Sequence, residues 1–266
     1  MDMTLSTEFI FAYAVLFLAG LAIGSFLNVV IYRLPRSKSL LWPRSACPTC
    51  GKTIPFYLNI PIFSYLMLLG KCRYCKTRIS PRYLIIEFIS GVVVVGYFAH
   101  FGLNWQGLAA MILTLTLIPV FFIDFEHRII PDSISIPGIV VGFGLSLLTA
   151  EPGWLGSLIG ILIGGGGLLL IGLLGDFIFK KESLGGGDVK LAAMLGAFLG
   201  WEKVLFVFIG SAVLGLIGAV ILLAVSKNVR ENHQIPFGPF LAAAAVIALL
   251  FGDKLIGLYI SHFLTV

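Results

Sequence analysis

Two aspartates and four cysteines carry the residue types and spacings that could do chemistry in this chain. Asp188 stands directly behind three glycines and in front of a short apolar run in LGGGDVKLAAMLG, residues 184–196, and Asp124 closes the apolar run TLIPVFFID. A carboxylate at or inside a membrane boundary is costly unless it faces a polar cavity or is protonated, which marks both as functional candidates. If the fold brings them together, mutual repulsion leaves one protonated and the other charged. That is the acid and base pair of an aspartic peptidase. The charged member takes a proton from water, while the protonated one polarises the peptide carbonyl that the water attacks. Two other readings stay open on the residues alone: Asp188 stands where a helix N-cap would, and paired membrane carboxylates also relay protons in transporters. Asp132, in HRIIPD, and Asp176 are runners-up, and Glu87 near the start of the second span has an open role.

The cysteines form CPTC (47–50) and CRYC (72–75), two knuckles separated by 21 residues. Each knuckle lets two thiolates occupy adjacent corners of a zinc tetrahedron, and two knuckles close a four-cysteine site from Cys47, Cys50, Cys72 and Cys75. Neighbouring Lys52, Lys71, Arg73 and Lys76 favour thiolates. No His follows either pair as haem attachment would need, and no βαβ pattern surrounds them. With all four positions filled by protein, such a zinc is structural and leaves no open coordination site for catalysis.

The elements that must hold these residues are set by composition. The 266 residues are 59% hydrophobic and 12% charged, with a mean hydropathy of +1.04, too apolar for a soluble domain. The expected fold is an all-α polytopic membrane protein with about eight transmembrane helices and a cytoplasmic zinc-binding loop after the first. Spans are expected near 9–31, 84–101, 107–123, 134–150, 155–179, 203–225 and 237–261. The run 189–200 is a short eighth candidate of roughly 18 Å, which starts inside the membrane or is re-entrant. The N-terminal residues MDMTLSTEF carry no Lys or Arg and the following apolar segment is too long for a signal-peptide core, so the first span is expected to stay.

Ten of the 18 Lys and Arg fall between Arg33 and Arg82, a segment without any acid, so this loop is expected in the cytoplasm. Eight spans then put 124–133, 180–188 and 226–236 inside, with Arg128, Lys180, Lys181, Lys227 and Arg230. In this topology Asp124 and Asp188 both lie at the inner boundary. The net charge of +5 needs no nucleic acid, because a basic loop beside anionic membrane lipid accounts for it. Two domains are expected: 1–82, the first helix plus the four-cysteine loop, and 83–266, the helical bundle with the carboxylates. Within the loop, the apolar segment 56–70 is interrupted by Asn59 and Pro61 and is read as lying against the membrane or the bundle. Gly156, Gly160 and Gly164 recur along one helix face and are read as a close helix contact, with a hinge in the GGGG run 164–167 as the alternative. No repeat of 20 to 50 residues is evident.

Taken together, these motifs resemble the type IV prepilin peptidases of the bacterial inner membrane, nearly end to end. The resemblance rests on GSFLNVVIYRLP (24–35), on CPTC and CRYC with NIP (59–61) between them, on ISPRYLIIEFISG (79–91), on FIDFEHRIIPD (122–132), on GGGDVKLAAMLGAFLG (185–200) and on IPFGPFLA (235–242). It implies that Asp124 and Asp188 are the catalytic pair, with Asp188 in a GxGD motif. It also implies prepilin and pseudopilin substrates, cut at the cytoplasmic face before their apolar helix, followed by N-methylation of the new terminus from S-adenosylmethionine. The methyltransferase half would lie with residues 1–82. Leu58 stands where the family usually has an acid, a departure that bears on methyl transfer, whereas Gly91 matches a family glycine associated with methylation. No glycine-rich nucleotide-binding unit is visible, so the donor site is unknown from sequence, as is the oligomeric state. The competing readings are a proton-coupled transporter and a zinc-stabilised membrane scaffold without catalysis.

Overall fold

The computed structural model describes residues 3–180, 184–225 and 236–263. The loop residues Lys181, Lys227 and Arg230 lie outside them. Nine α-helices account for nearly all of the described structure: α1 (Met3–Arg33), α2 (Phe63–Met67), α3 (Arg82–Phe101), α4 (Trp105–His127), α5 (Asp132–Ser146), α6 (Gly153–Ile161), α7 (Gly167–Phe179), α8 (Gly186–Val225) and α9 (Gly238–Phe263). A π-helical stretch, Leu162–Gly166, joins α6 to α7 through the expected glycine run, so the two form one span. Among the described residues, six helices are long and apolar enough to cross a membrane, and their outward faces carry side chains such as Leu169, Leu170, Leu173 and Ile209.

The expected span at 134–150 is α5, whose 15 residues reach about 22 Å and fall short of a bilayer core. The run 189–200 is the first limb of α8. It meets the second limb at Gly200, whose φ of 78° and ψ of 176° interrupt the helix. A side chain there would strike Pro152 as well as adopt an unfavourable φ.

The chain forms two compact units, Met1–Gly107 and Leu108–Val266. In the first, α1 lies along α3. Gly20 faces the backbone of Gly91, and Gly24 faces that of Glu87, so closely that an added Cβ at either would meet main-chain atoms within 2.7 Å. This four-residue spacing is the small-residue packing that substitutes for a hydrophobic drive in lipid. Asn28, buried between the two helices, donates from Nδ2 to the Tyr83 carbonyl at 3.1 Å.

In the second unit, the first limb of α8 is the centre. Residues 191–200 are all buried, and Leu191, Met194 and Leu195 pack with Leu113 and Val120 of α4 and with Leu241 and Ala245 of α9. The expected glycine face is a packing face: Gly160 meets the backbone of Gly196, and Gly164 meets that of Ala192. Ser157, on the same face, donates its hydroxyl to the Ala197 carbonyl at 2.7 Å. In lipid such contacts hold helices by close packing and hydrogen bonding.

Candidate active site and metal centre

Asp124 sits in the last turn of α4 and is only 5% exposed. Its Oδ2 accepts the N–H of Gly238 at 2.9 Å. Gly238 opens α9 and is followed by Pro239, and the first amides of a helix have no partner within it. Asp124 therefore caps α9 from a different helix, its carboxylate oxygen set at a helix N-terminus, where negative charge is favoured. There is no room for a side chain at Gly238, since a Cβ would lie 2.7 Å from Asp124 Oδ2 and 3.1 Å from Ile130 Cδ1.

Asp188 is the third residue of α8 and half-buried. The alternative reading makes Asp188 the N-cap; it instead lies in the first turn, where its own N–H donates to the Gly185 carbonyl at 3.0 Å and its carboxylate accepts the Gly185 backbone N–H just before the helix. Asp188 and Asp124 are close enough for the charge of one to act on the other. Ile130 joins their surroundings: its Cβ stands 3.1 Å from where a Cβ at Gly187 would be, and its Cδ1 reaches Gly238. The short non-helical segment 129–131 thus runs past both motifs. Glycine at 187 makes room for Ile130, and glycine at 238 makes room for Ile130 and the Asp124 carboxylate.

The runners-up fall elsewhere. Asp132 begins α5 and its carboxylate accepts from Lys190 Nζ at 2.6 Å, in an exposed ion pair. Asp176 lies in α7, and its carbonyl accepts the Lys180 N–H. Glu87 belongs to the first unit, where it is 8% exposed. Its Oε2 accepts the N–H of Ile62 at 2.7 Å, and Ser25 also hydrogen-bonds it. Ile62 has φ 60° and ψ −53°, an unusual conformation for a β-branched residue. Glu87 therefore fixes the turn that follows Asn59-Ile60-Pro61 against α3.

The four cysteines are unbridged, and their sulfurs lie within 4.8 Å of one another. Cys47 Sγ and Cys75 Sγ are 3.7 Å apart. Zinc–sulfur bonds of about 2.3 Å at tetrahedral angles put sulfurs roughly 3.8 Å apart, so the cluster fits a structural zinc. The two knuckles share one geometry that the sequence reading missed. Cys47 N–H donates to Lys52 O and Ile54 N–H to Ser45 O; twenty-five positions on, Cys72 N–H donates to Thr77 O and Ile79 N–H to Gly70 O. Gly51 and Lys76 take the same left-handed position in each, at φ 69° and 59°. The signal was a shared Cys-x-x-Cys with Ile four residues on, obscured because little else in the two stretches matches. Cys75 Sγ lies 3.3 Å from Thr77 Oγ1. Donation from that hydroxyl, then from the Thr77 amide, pulls its thiol down to about 6.

A helical membrane protein with two neighbouring carboxylates at the ends of glycine-bearing helices, and a four-cysteine cluster that fits zinc, is the class this architecture defines. Residues 18–101 match the model of the bacterial peptidase A24 N-terminal domain, and residues 111–220 match that of the type IV leader peptidase family. Proteins named prepilin leader peptidase/N-methyltransferase are similar over most of the chain. The one from Pseudomonas aeruginosa is 37% identical across 91% of each chain, and the one from Aeromonas hydrophila 36% across 95% of each. The one from Myxococcus xanthus is 38% identical over 80% of this chain, which spans 64% of that relative's length. The chain belongs to the type IV leader peptidase family. No solved structure matches it.

Proposed function

We propose that this protein is a prepilin leader peptidase and N-methyltransferase of the bacterial inner membrane. Asp124 and Asp188 form its peptidase pair. What supports this reading is the nearness of two carboxylates from different helices, one of them seated against Gly238 at the start of α9. The pair shares one proton. The ionised member takes a proton from water, and the resulting hydroxide bonds to the carbonyl carbon before the new prepilin N-terminus. The protonated member hands its proton to the carbonyl oxygen. As the tetrahedral intermediate collapses, one of its hydroxyls returns a proton to the aspartate that had protonated the carbonyl oxygen, the C–N bond breaks, and the amine leaves with the proton that the base had taken.

The active site faces the cytoplasm, where a basic leader meets the apolar helix of a prepilin or pseudopilin. Residues 1–82 carry the methyltransferase-associated zinc loop, and 83–266 carry the peptidase. Bound zinc would be held by Cys47, Cys50, Cys72 and Cys75, where it would fix the two knuckles to each other. S-adenosylmethionine is the methyl donor to the amine released by cleavage. Its net positive charge does not suit the arginine-lined cleft of the first unit, so no step is assigned to residues there.

The test is prepilin cleavage by membranes carrying Asp124→Asn or Asp188→Asn, with methylation of a pre-cleaved pilin followed in parallel. Each change abolishes cleavage and leaves methylation intact. Normal cleavage by either variant would sink the assignment. A transporter or an inert scaffold would show no cleavage in the unaltered protein.

A further inference from the structure

A cleft of about 330 Å³ lies in the first unit, at the end of α1. Its apolar walls include Phe26, Val29, Leu41 and Phe56, and its cations are Arg33 and Arg44. Leu41 and Phe56 are 80% and 85% exposed, and adjoining Trp42 is 71% exposed. Arg33 is 91% buried, yet its guanidinium meets only neutral oxygens: Nη1 donates to Ser39 O at 2.8 Å and Nη2 to Pro43 O at 2.6 Å. No carboxylate lines the cleft, and none occurs between positions 33 and 82.

We infer that this cleft binds the headgroup of an acidic phospholipid, with Leu41, Trp42 and Phe56 set among its acyl chains. Three observations fix the occupant. Two guanidiniums without an acid call for an anion, and a buried cation beside neutral dipoles gains most from one. Phe26 and Val29 belong to a helix that crosses the membrane, so the cleft opens where a span ends and headgroups lie. Finally, aromatic and leucine side chains this exposed are tolerated where lipid covers them. A basic peptide has the wrong charge for the site, and a small phosphate ester would leave the apolar walls bare. The lipid thereby pins the base of the zinc segment to the membrane surface.

The test uses the full-length protein in neutral detergent, titrated with short-chain phosphatidylglycerol, short-chain phosphatidylcholine, glycerol phosphate or S-adenosylmethionine. Phosphatidylglycerol binds, and Arg44→Gln weakens it about fivefold, as expected for one basic residue at a lipid surface. Phe56→Ser weakens it as well. Both variants retain bound zinc, which shows that the segment remains folded. Three results would overturn the inference: phosphatidylcholine binding as tightly, glycerol phosphate competing at equal concentration, or S-adenosylmethionine displacing the lipid. Binding unaffected by Arg44→Gln would do so too.

Discussion

The backbone N–H of Gly238 donates to the carboxylate of Asp124 across 114 positions of sequence. It ties the start of α9 to the last turn of α4. A side chain at Gly238 would collide with the carboxylate it holds, so Gly238→Ala should displace Asp124 by a fraction of an ångström or more. Misplacements of about 1 Å cost roughly a hundredfold in rate. Prepilin cleavage by this variant should fall by about that factor in kcat, with bound zinc unchanged. Wild-type cleavage would mean that the contact does not position the carboxylate.

Asp132 offers the opposite expectation. Its ion pair with Lys190 is exposed at both ends, and such pairs are worth about 0–1 kcal/mol. Asp132→Asn should cleave prepilin at close to the normal rate and melt within a few degrees of the parent. Loss of cleavage at normal stability would promote Asp132 into the active site.

Glu87 separates hydrogen bonding from charge. Glu87→Ala leaves the Ile62 N–H without its acceptor, at a cost of about 1–3 kcal/mol for a buried donor. Glu87→Gln retains a carbonyl oxygen in the same place. Thermal unfolding of the purified protein should show a clear loss for alanine and a smaller one for glutamine. Equal losses would argue that the carboxylate charge, and not the hydrogen bond, holds the turn.

The zinc site should respond to pH through Cys75. Its thiol is held at about 6, below the usual value of 9.0. Between those values the folded chain carries this sulfur as thiolate, whereas the unfolded chain holds a proton there. The stabilisation is therefore full above pH 9, declines as pH falls through that window and is gone below about 6. Because zinc binds its sulfurs as thiolates, protons compete with the metal and acidification should release it. Thr77→Val should move that release to higher pH, measured with a chromogenic zinc chelator; an unmoved profile would show that the hydroxyl does not set the thiolate.

Much of this protein is legible in its sequence because the bilayer imposes simple rules. Long apolar runs must be helices with their polar backbone satisfied internally, and Cys-x-x-Cys pairs specify metal geometry over four residues. Those rules fixed the helical class, the four zinc ligands and the two aspartates as candidates. They did not separate Asp188 as a cap from Asp188 as a partner of Asp124, because pairing across 64 positions depends on how helices cross. Nor did they reveal Gly24 against Glu87, Gly160 against Gly196, or Gly238 beneath Asp124. A glycine shows nothing of its neighbour until two backbones meet. Tertiary structure decided which acids come near one another, which glycine makes room for Asp124, and that residues 189–200 form the buried first limb of α8, which meets the second at Gly200. The reason is physical: hydropathy and ligand spacing act along the chain, whereas close packing and charge coupling act between elements that the chain itself does not order.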